Sequence, residues 1–354
     1  MKLLDRYIAF AMARGTGIAL LVIMGLNVFF SIIEEIDELD QGSYTITKML
    51  EYVALTLPRG IYELFPTAAL IGGLTGMGAL AVNGELVAMR ASGLSVWRIV
   101  RSVLQAGLVL LVVVVALGEG LAPVAEQYAQ RLRSGALEKR VSFMGREGVW
   151  VRDESRYIYV NKIFDNDTLA DVSVFEFDPD RQLISSMHAD TAAYQGGGKW
   201  LLHNMRETLF AGDSATTRVE ESITVPALLA PELINVVVLK PENMSVQDIR
   251  QFLGYLKANG LETQEYRYAL YRRFVTPVSV LLMLFISVPF VFGSLRSTGT
   301  GQRFLVGVMA GFGYFLANQL AGQAGQVYGW SPLLVSITPG LVVMLAGIYA
   351  LRRV

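Results

Sequence analysis

Residues 10–33 read FAMARGTGIALLVIMGLNVFFSII, from Phe10 to Ile33, with Arg14 the single charge among them. A helix needs roughly 20 apolar residues to cross a hydrocarbon core about 30 Å thick, and this stretch supplies them. No A-x-A cleavage site follows it; the chain runs instead into Glu34, Glu35, Asp37 and Glu38, so the stretch reads as a retained membrane helix.

Five more segments meet the same test: Leu57 to Val82, Ile99 to Ala122, Tyr268 to Phe292, Phe304 to Gln323 and Pro332 to Leu351. Composition agrees, because 53% hydrophobic against 17% charged residues over 354 positions is too apolar for a set of soluble domains. Basic residues gather at alternate span ends: Lys2, Arg6 and Arg14, then Arg90, Arg98 and Arg101, then Arg296 and Arg303, and lastly Arg352 and Arg353. Short loops rich in Lys and Arg stay in the cytoplasm, so both termini are expected there, with residues 123–264 on the outer side.

That outer segment changes period. Arg156 to Val160 and Val172 to Phe177 alternate as half-buried strands do, and Lys199 to His203 is similar. The turn signals Asp165-Asn166-Asp167, Asp178-Pro179-Asp180, Gly196-Gly197-Gly198 and Ala211-Gly212-Asp213 separate them, which predicts a sandwich or barrel of short antiparallel strands. Ser245 to Asp248 then resembles a capping box ahead of Ile249, Phe252, Leu253 and Leu256, with Gly260 closing a short amphipathic helix. The expected fold is a membrane α-helical protein of six transmembrane helices with an inserted all-β domain: residues 1–122 form the first membrane half, 123–244 the β domain, and 245–354 the short helix and second membrane half.

Several chemistries lack their residues. A net charge of -1 without a run of Lys or Arg argues against nucleic acid. With no cysteine and only His188 and His203, disulfides, thiolate nucleophiles and Cys/His metal clusters are not expected, and no cofactor is expected either. Gly196-Gly197-Gly198-Lys199-Trp200 has neither the spacing nor the hydroxyl of a phosphate-binding loop, and Thr298-Gly299-Thr300-Gly301 reads as a plain connection.

Other residues stand out by position. Arg59, Glu63 and Glu119 are ionisable groups near span ends, where they either reach the interface or face the bundle interior. Gly72, Gly73, Gly76 and Gly78 let another helix approach closely, and Asn318, Gln319, Gln323 and Gln326 form a polar set unsuited to lipid tails. Residues 83–95, between the second and third spans, are too polar to cross and predict a short cytoplasmic helix. Within it Glu85, Met89 and Ser92 share a face that a soluble partner could grip; a helix lying on the membrane surface is the alternative.

Taken together, Leu4-Asp5-Arg6-Tyr7, Phe65-Pro66-Thr67-Ala68-Ala69-Leu70, the run from Glu85 to Gly93, and Leu295-Arg296-Ser297 resemble the LptF/LptG family, with the LptG half favoured. These are the permease subunits of the bacterial lipopolysaccharide-export ABC transporter, and the resemblance covers nearly the whole chain. It implies that the β domain is a periplasmic jellyroll and that the protein sits in the bacterial inner membrane. It also implies pairing with a homologous permease around a cavity that takes lipopolysaccharide, docking on a cytoplasmic ATPase dimer, and delivery to a periplasmic β-domain bridge protein. Carried onto this chain, Glu85, Leu86, Met89, Arg90 and Gly93 become the ATPase-coupling residues, the first and fifth helices the lateral gates, and Arg59, Arg131 and Arg133 candidate lipid-phosphate contacts. Where family members place a lysine near the outer end of the first helix, this chain has Glu34 and Glu35. The rival readings are a membrane-bound lipid-modifying enzyme using Glu63 and Glu119 as an acid pair, and a structural anchor for periplasmic proteins.

Overall fold

A computed structural model of the chain describes residues 3–137, 149–153, 155–165, 168–212, 214–226, 241–292 and 299–353. Leu295-Arg296-Ser297 lies outside them, as do Lys2, Thr298 and parts of two expected turns, Asn166-Asp167 and Asp213.

All six expected spans are helices long and apolar enough to cross a membrane. They are α1 (Leu3–Ile36), α2 (Ile46–Val82), α4 (Val96–Ala116), α7 (Gln264–Phe292), α8 (Thr300–Tyr328) and α9 (Pro332–Leu351). Between α2 and α4 lies the seven-residue α3 (Glu85–Ala91), and α4 runs through a π-helical turn, Leu117–Leu121, into α5 (Ala122–Ala136). The limits at Val82, Phe292, Pro332 and Leu351 fall where hydropathy places them. At other ends the helices run on by as much as eleven residues, as in Ile46 to Thr56, because hydropathy marks only the part that suits lipid while the hydrogen-bond ladder continues through polar helix formers.

The chain divides into two compact units. The first comprises residues 1–37, 49–129 and 263–354. Its core is built on α2 and α7, which contribute Tyr62, Phe65, Leu70, Leu74 and Met77 and Val280, Met283, Leu284 and Val288. Ile8 and Met12 of α1 and Ile99 and Val103 of α4 close on that core. The glycines of α2 act as expected of packing positions. A Cβ on Gly72 would lie 2.3 Å from the Thr16 nitrogen of α1, one on Gly76 2.5 Å from the Ala11 oxygen, and one on Gly73 2.5 Å from Ser287 Oγ of α7. By contrast α1 and α8 bury the least of their apolar length.

The second unit comprises residues 38–48 and 130–262. Its strands β1 (Val149–Asp153), β2 (Arg156–Asp165), β3 (Thr168–Phe177), β4 (Leu183–Gly196), β5 (Lys199–Ala211) and β6 (Ser214–Pro226) form one antiparallel sheet in sequential order. The all-β insertion is therefore as expected, but β4 has 14 residues and β5 and β6 have 13 each, longer than the short strands predicted. The sequence marked only part of each strand, such as Lys199 to His203; the polar continuation Arg206 to Thr208 pairs equally well with both neighbouring strands through the backbone. Gly197 and Gly198, at φ of 60° and 75°, make the two-residue turn between β4 and β5, which demands positive φ at both positions. Val160, Leu169, Val172, Trp200 and Leu202 form the core of the sheet.

The short helix α6 (Val246–Ala258) carries the capping box read from sequence: Ser245 Oγ accepts from the Asp248 backbone N–H at 3.2 Å, and Asp248 accepts from the Ser245 N–H at 3.2 Å. Gly260 at φ 64° then ends it, with Leu261 N–H donating to the Leu256 carbonyl at 2.8 Å. Ser245→Ala removes the cap and is expected to cost about 1 kcal/mol locally, so amide exchange in the first turn of α6 speeds up roughly fivefold. Unchanged exchange at Asp248 would show the cap to be dispensable.

Candidate functional site

The segment joining α2 to α4 is built to hold a fixed shape. Gly84 at φ 75° turns the chain into α3, and Gly93 at φ 90° ends it, with Gly93 N–H donating to the Arg90 carbonyl at 3.0 Å and Leu94 N–H to the Met89 carbonyl at 3.2 Å. That is a Schellman ending, which requires a left-handed residue where Gly93 stands. Helix α3 therefore stops at Ala91. Ser92 caps it, its N–H still donating to the Ala88 carbonyl at 3.0 Å and its hydroxyl to the Met89 carbonyl at 2.7 Å.

Each candidate in this segment has a definite setting. Leu86 is buried in the membrane core and Met89 packs against that core, so these two anchor α3. Val87, Ala88 and Arg90 are exposed. Leu86, Val87 and Arg90 line a cleft of about 370 Å³ with Ala81, Ala91, Val291 and Phe292. Glu85 faces α1, accepting at Oε2 from the Tyr7 hydroxyl at 2.6 Å and at Oε1 from Asn83 Nδ2 at 3.3 Å. Close by along α1, the buried Asp5 takes Arg98 Nη1 at 2.8 Å and the Ser102 hydroxyl at 2.6 Å.

At the opposite ends of these helices lies a second polar group. Arg273 of α7, buried, donates from Nη1 to the Gly118 carbonyl at 2.9 Å, stands 3.6 Å from Glu119 Oε1, and lies 5.5 Å over the Tyr62 ring. The π register explains the free carbonyl. Ala122 N–H bonds Leu117, five residues back, so the next donor, the one due to Gly118, is missing because residue 123 is proline. About two turns on from Glu119, the buried Glu126 lies 3.6 Å from Arg59, which also pairs with Glu63 at 3.0 Å. Glu63 and Glu119 are thus each matched to an arginine, an arrangement suited to holding helices together and not to a pair of carboxyls exchanging a proton.

Of the other basic candidates, Arg131 is exposed and Arg133 lies 3.8 Å from Glu38. His188 sits on the sheet surface, with Ser173 Oγ 3.1 Å from its Nδ1 and Asp171 and Asp190 at 3.7 and 3.8 Å. Arg273 was absent from the sequence reading, although an arginine five residues inside the span Tyr268 to Phe292 is itself a signal.

The polar set on α8 resolves into a stripe. Leu305, Met309, Phe312, Leu316, Gln319, Gln323 and Gln326 are spaced alternately four and three apart and all are exposed. The stripe is apolar for its first four positions and carboxamide for its last three.

A profile for the lipopolysaccharide export system permeases LptF/LptG matches residues 6–353. The chain belongs to the LptF/LptG family. Lipopolysaccharide export system permease protein LptG of Haemophilus influenzae is 30% identical over 340 residues, covering 96% of this chain and 95% of that protein. The protein of the same description in Escherichia coli K12 is 29% identical over 352 residues, 99% of this chain and 98% of its own length. Both are LptG, the half of the family that the sequence favours. Membership in LptF/LptG makes this a multi-pass permease of the inner membrane, and the six membrane helices and inserted sheet fit it.

Proposed function

We propose that this chain is the permease subunit of an ATP-driven transporter that extracts lipopolysaccharide from the outer leaflet of the inner membrane and passes it to a periplasmic bridge. ATP hydrolysis is supplied by a separate cytoplasmic ATPase, which docks on the exposed surface of α3, and a homologous permease completes the cavity. Both termini are cytoplasmic and the β unit periplasmic, with residues 83–95 as the coupling segment and 123–244 as the β domain.

The observation that carries this reading is the stripe on α8. From Leu305 to Gln326 it spans 21 residues, or about 32 Å at 1.5 Å per residue, close to the thickness of a bilayer core. An exposed helix face that is apolar along its inner length and rich in carboxamides near the outer surface matches an amphiphile with acyl chains in the membrane and a sugar head above it. Lipid tails alone would not favour Gln319, Gln323 and Gln326 together. The arginines Arg59, Arg131 and Arg133 are the proposed phosphate contacts on the outer side. Arg59 would exchange Glu63 or Glu126, and Arg133 would exchange Glu38, for a phosphate, a stronger acceptor for a guanidinium.

The test is release of lipopolysaccharide from proteoliposomes holding this chain with the partner permease and ATPase. Glu85→Lys reverses the charge at this position and removes the acceptor for Tyr7. It is expected to cut ATP-dependent release severalfold with the complex still assembled, and Glu85→Ala to cut it less. Normal release in both variants would return α3 to a surface element. Loss of release on replacing Gln319, Gln323 and Gln326 together by leucine would support the stripe as the lipid path, and normal release would remove it.

A further inference from the structure

The Tyr7 hydroxyl donates to Glu85 at 2.6 Å across 78 residues of sequence, the length of a charge-assisted O–H···O⁻ bond. It fastens the start of α1 to the segment following α2. A second fastening is Asp5, 3% exposed, which binds both Arg98 and Ser102 in the first two turns of α4, while Arg98 also donates to Ser102 at 3.0 Å. One fastening lies at the beginning of residues 83–95 and the other just beyond their end. Between them Leu86 and Ile8 are buried in the same core.

Farther along, α1 meets α2 backbone to backbone at Ala11 to Thr16, and beyond that through side chains, Met24 and Asn27 lying 3.1 Å from where a Cβ on Gly60 would stand. A Cβ on Gly15 would fall 2.5 Å from the Gly72 oxygen, and one on Gly72 2.3 Å from Thr16 nitrogen, while Gly76 opposes Ala11 in the same way. Past Ala19 the helix buries only Met24 and Glu35, and Leu21, Leu26, Phe29, Phe30 and Ile33 are exposed. Helix α1 is therefore a rod fastened near one end, braced backbone to backbone on α2 at Ala11 to Thr16, and held beyond that by side-chain contacts of Ala19, Leu20, Ile23, Met24 and Asn27. The short arm, Tyr7 to Gly15, is about 12 Å and the long arm, Gly15 to Ile36, about 32 Å at 1.5 Å per residue. A displacement at Tyr7 is magnified about 2.6-fold at Ile36 by that ratio.

We propose that Tyr7 is the positioning residue that makes α1 a lever: through its bond to Glu85, movement of the α3 segment swings the outer half of α1 about the Gly15–Gly72 contact. This rests on the coupling role given to α3 above. The lever explains why a carboxylate stands at Glu85 although its two oxygens are taken up within the chain. It also gives the least buried half of α1 a source of motion. Asp5 keeps the short arm in register with α4 while Tyr7 transmits the pull.

The test uses the full complex in proteoliposomes with Tyr7→Phe, which keeps the ring and removes only the hydroxyl. The expected result is normal assembly, normal basal ATP hydrolysis, and a fall of about threefold or more in lipopolysaccharide released per ATP, since only the connection is lost. Tyr7→Phe with Glu85→Gln should be no worse than Glu85→Gln alone, because both act through one bond. The chain has no cysteine, so spin labels at Val22→Cys and Val112→Cys report α1 against α4 directly. A nucleotide-dependent change in that distance is expected in the wild type and should be lost in Tyr7→Phe. Full release per ATP in Tyr7→Phe, or a distance change that survives it, overturns the lever. If Glu85→Lys still blocks release in that case, the coupling role of α3 stands without it; if Glu85→Lys is also normal, both fall.

Discussion

Arg273→Met is expected to cost about 3–5 kcal/mol of stability, the usual penalty for removing one partner of a buried charge pair, and so to lower the unfolding midpoint of the detergent-solubilised protein more than any surface change. The guanidinium links three helices at once. It caps the Gly118 carbonyl that Pro123 leaves without a backbone donor, sits beside Glu119, and lies over Tyr62, whose hydroxyl returns a bond to the Arg273 carbonyl at 3.3 Å. Methionine fills much of the volume but offers neither charge nor donor, so the π turn loses the group that makes it affordable. Arg273→Lys keeps the charge but not the planar fork and should fall between the two. Stability equal to wild type in Arg273→Met would mean that the π turn is held by the helix alone. Gly118 leaves no other side chain an opening here, because a Cβ on it would meet the Tyr62 ring at 2.3 Å.

This cluster also shows what sequence can and cannot convey. The six spans were legible because their apolar length is a property of each segment by itself, and so were the β alternation and the Ser245–Asp248 cap. The π turn was not, since Pro123 announces a missing donor without saying which register the helix adopts around it. Glu85 was singled out for a partner it could offer outward, whereas the group bonded to it is Tyr7, brought there by the fold across 78 residues. Sequence signals that depend on one element survived; where two elements meet, the close-packing glycines of α2 were legible but the partners they face were not.

The packing of α1 on α2 gives a prediction in which sign, and not only size, is the test. In an open helical position glycine to alanine gains up to about 1 kcal/mol, because alanine is the better helix former. Gly17→Ala, whose Cβ would meet nothing within 4 Å, should accordingly be neutral or slightly stabilising. Gly72→Ala places its Cβ 2.3 Å from Thr16 nitrogen and 2.4 Å from Thr16 Cα, both backbone atoms that no rotamer change can move aside. Helix α1 must then shift by more than 1 Å, roughly the shortfall from an ordinary carbon contact of 3.5–4.0 Å. Overpacking of this kind costs about 1–3 kcal/mol, and membrane helices depend on such close approach for their association. Thermal unfolding in detergent should therefore move in opposite directions, or from unchanged to lower, for two substitutions of the same type. If Gly15–Gly72 is also the fulcrum of α1, Gly72→Ala should reduce lipopolysaccharide released per ATP in the fraction that remains folded, while Gly17→Ala leaves it unchanged. Equal midpoints for the two variants would show that α1 is not braced on α2 at this point, and would leave the long arm of the lever without a pivot.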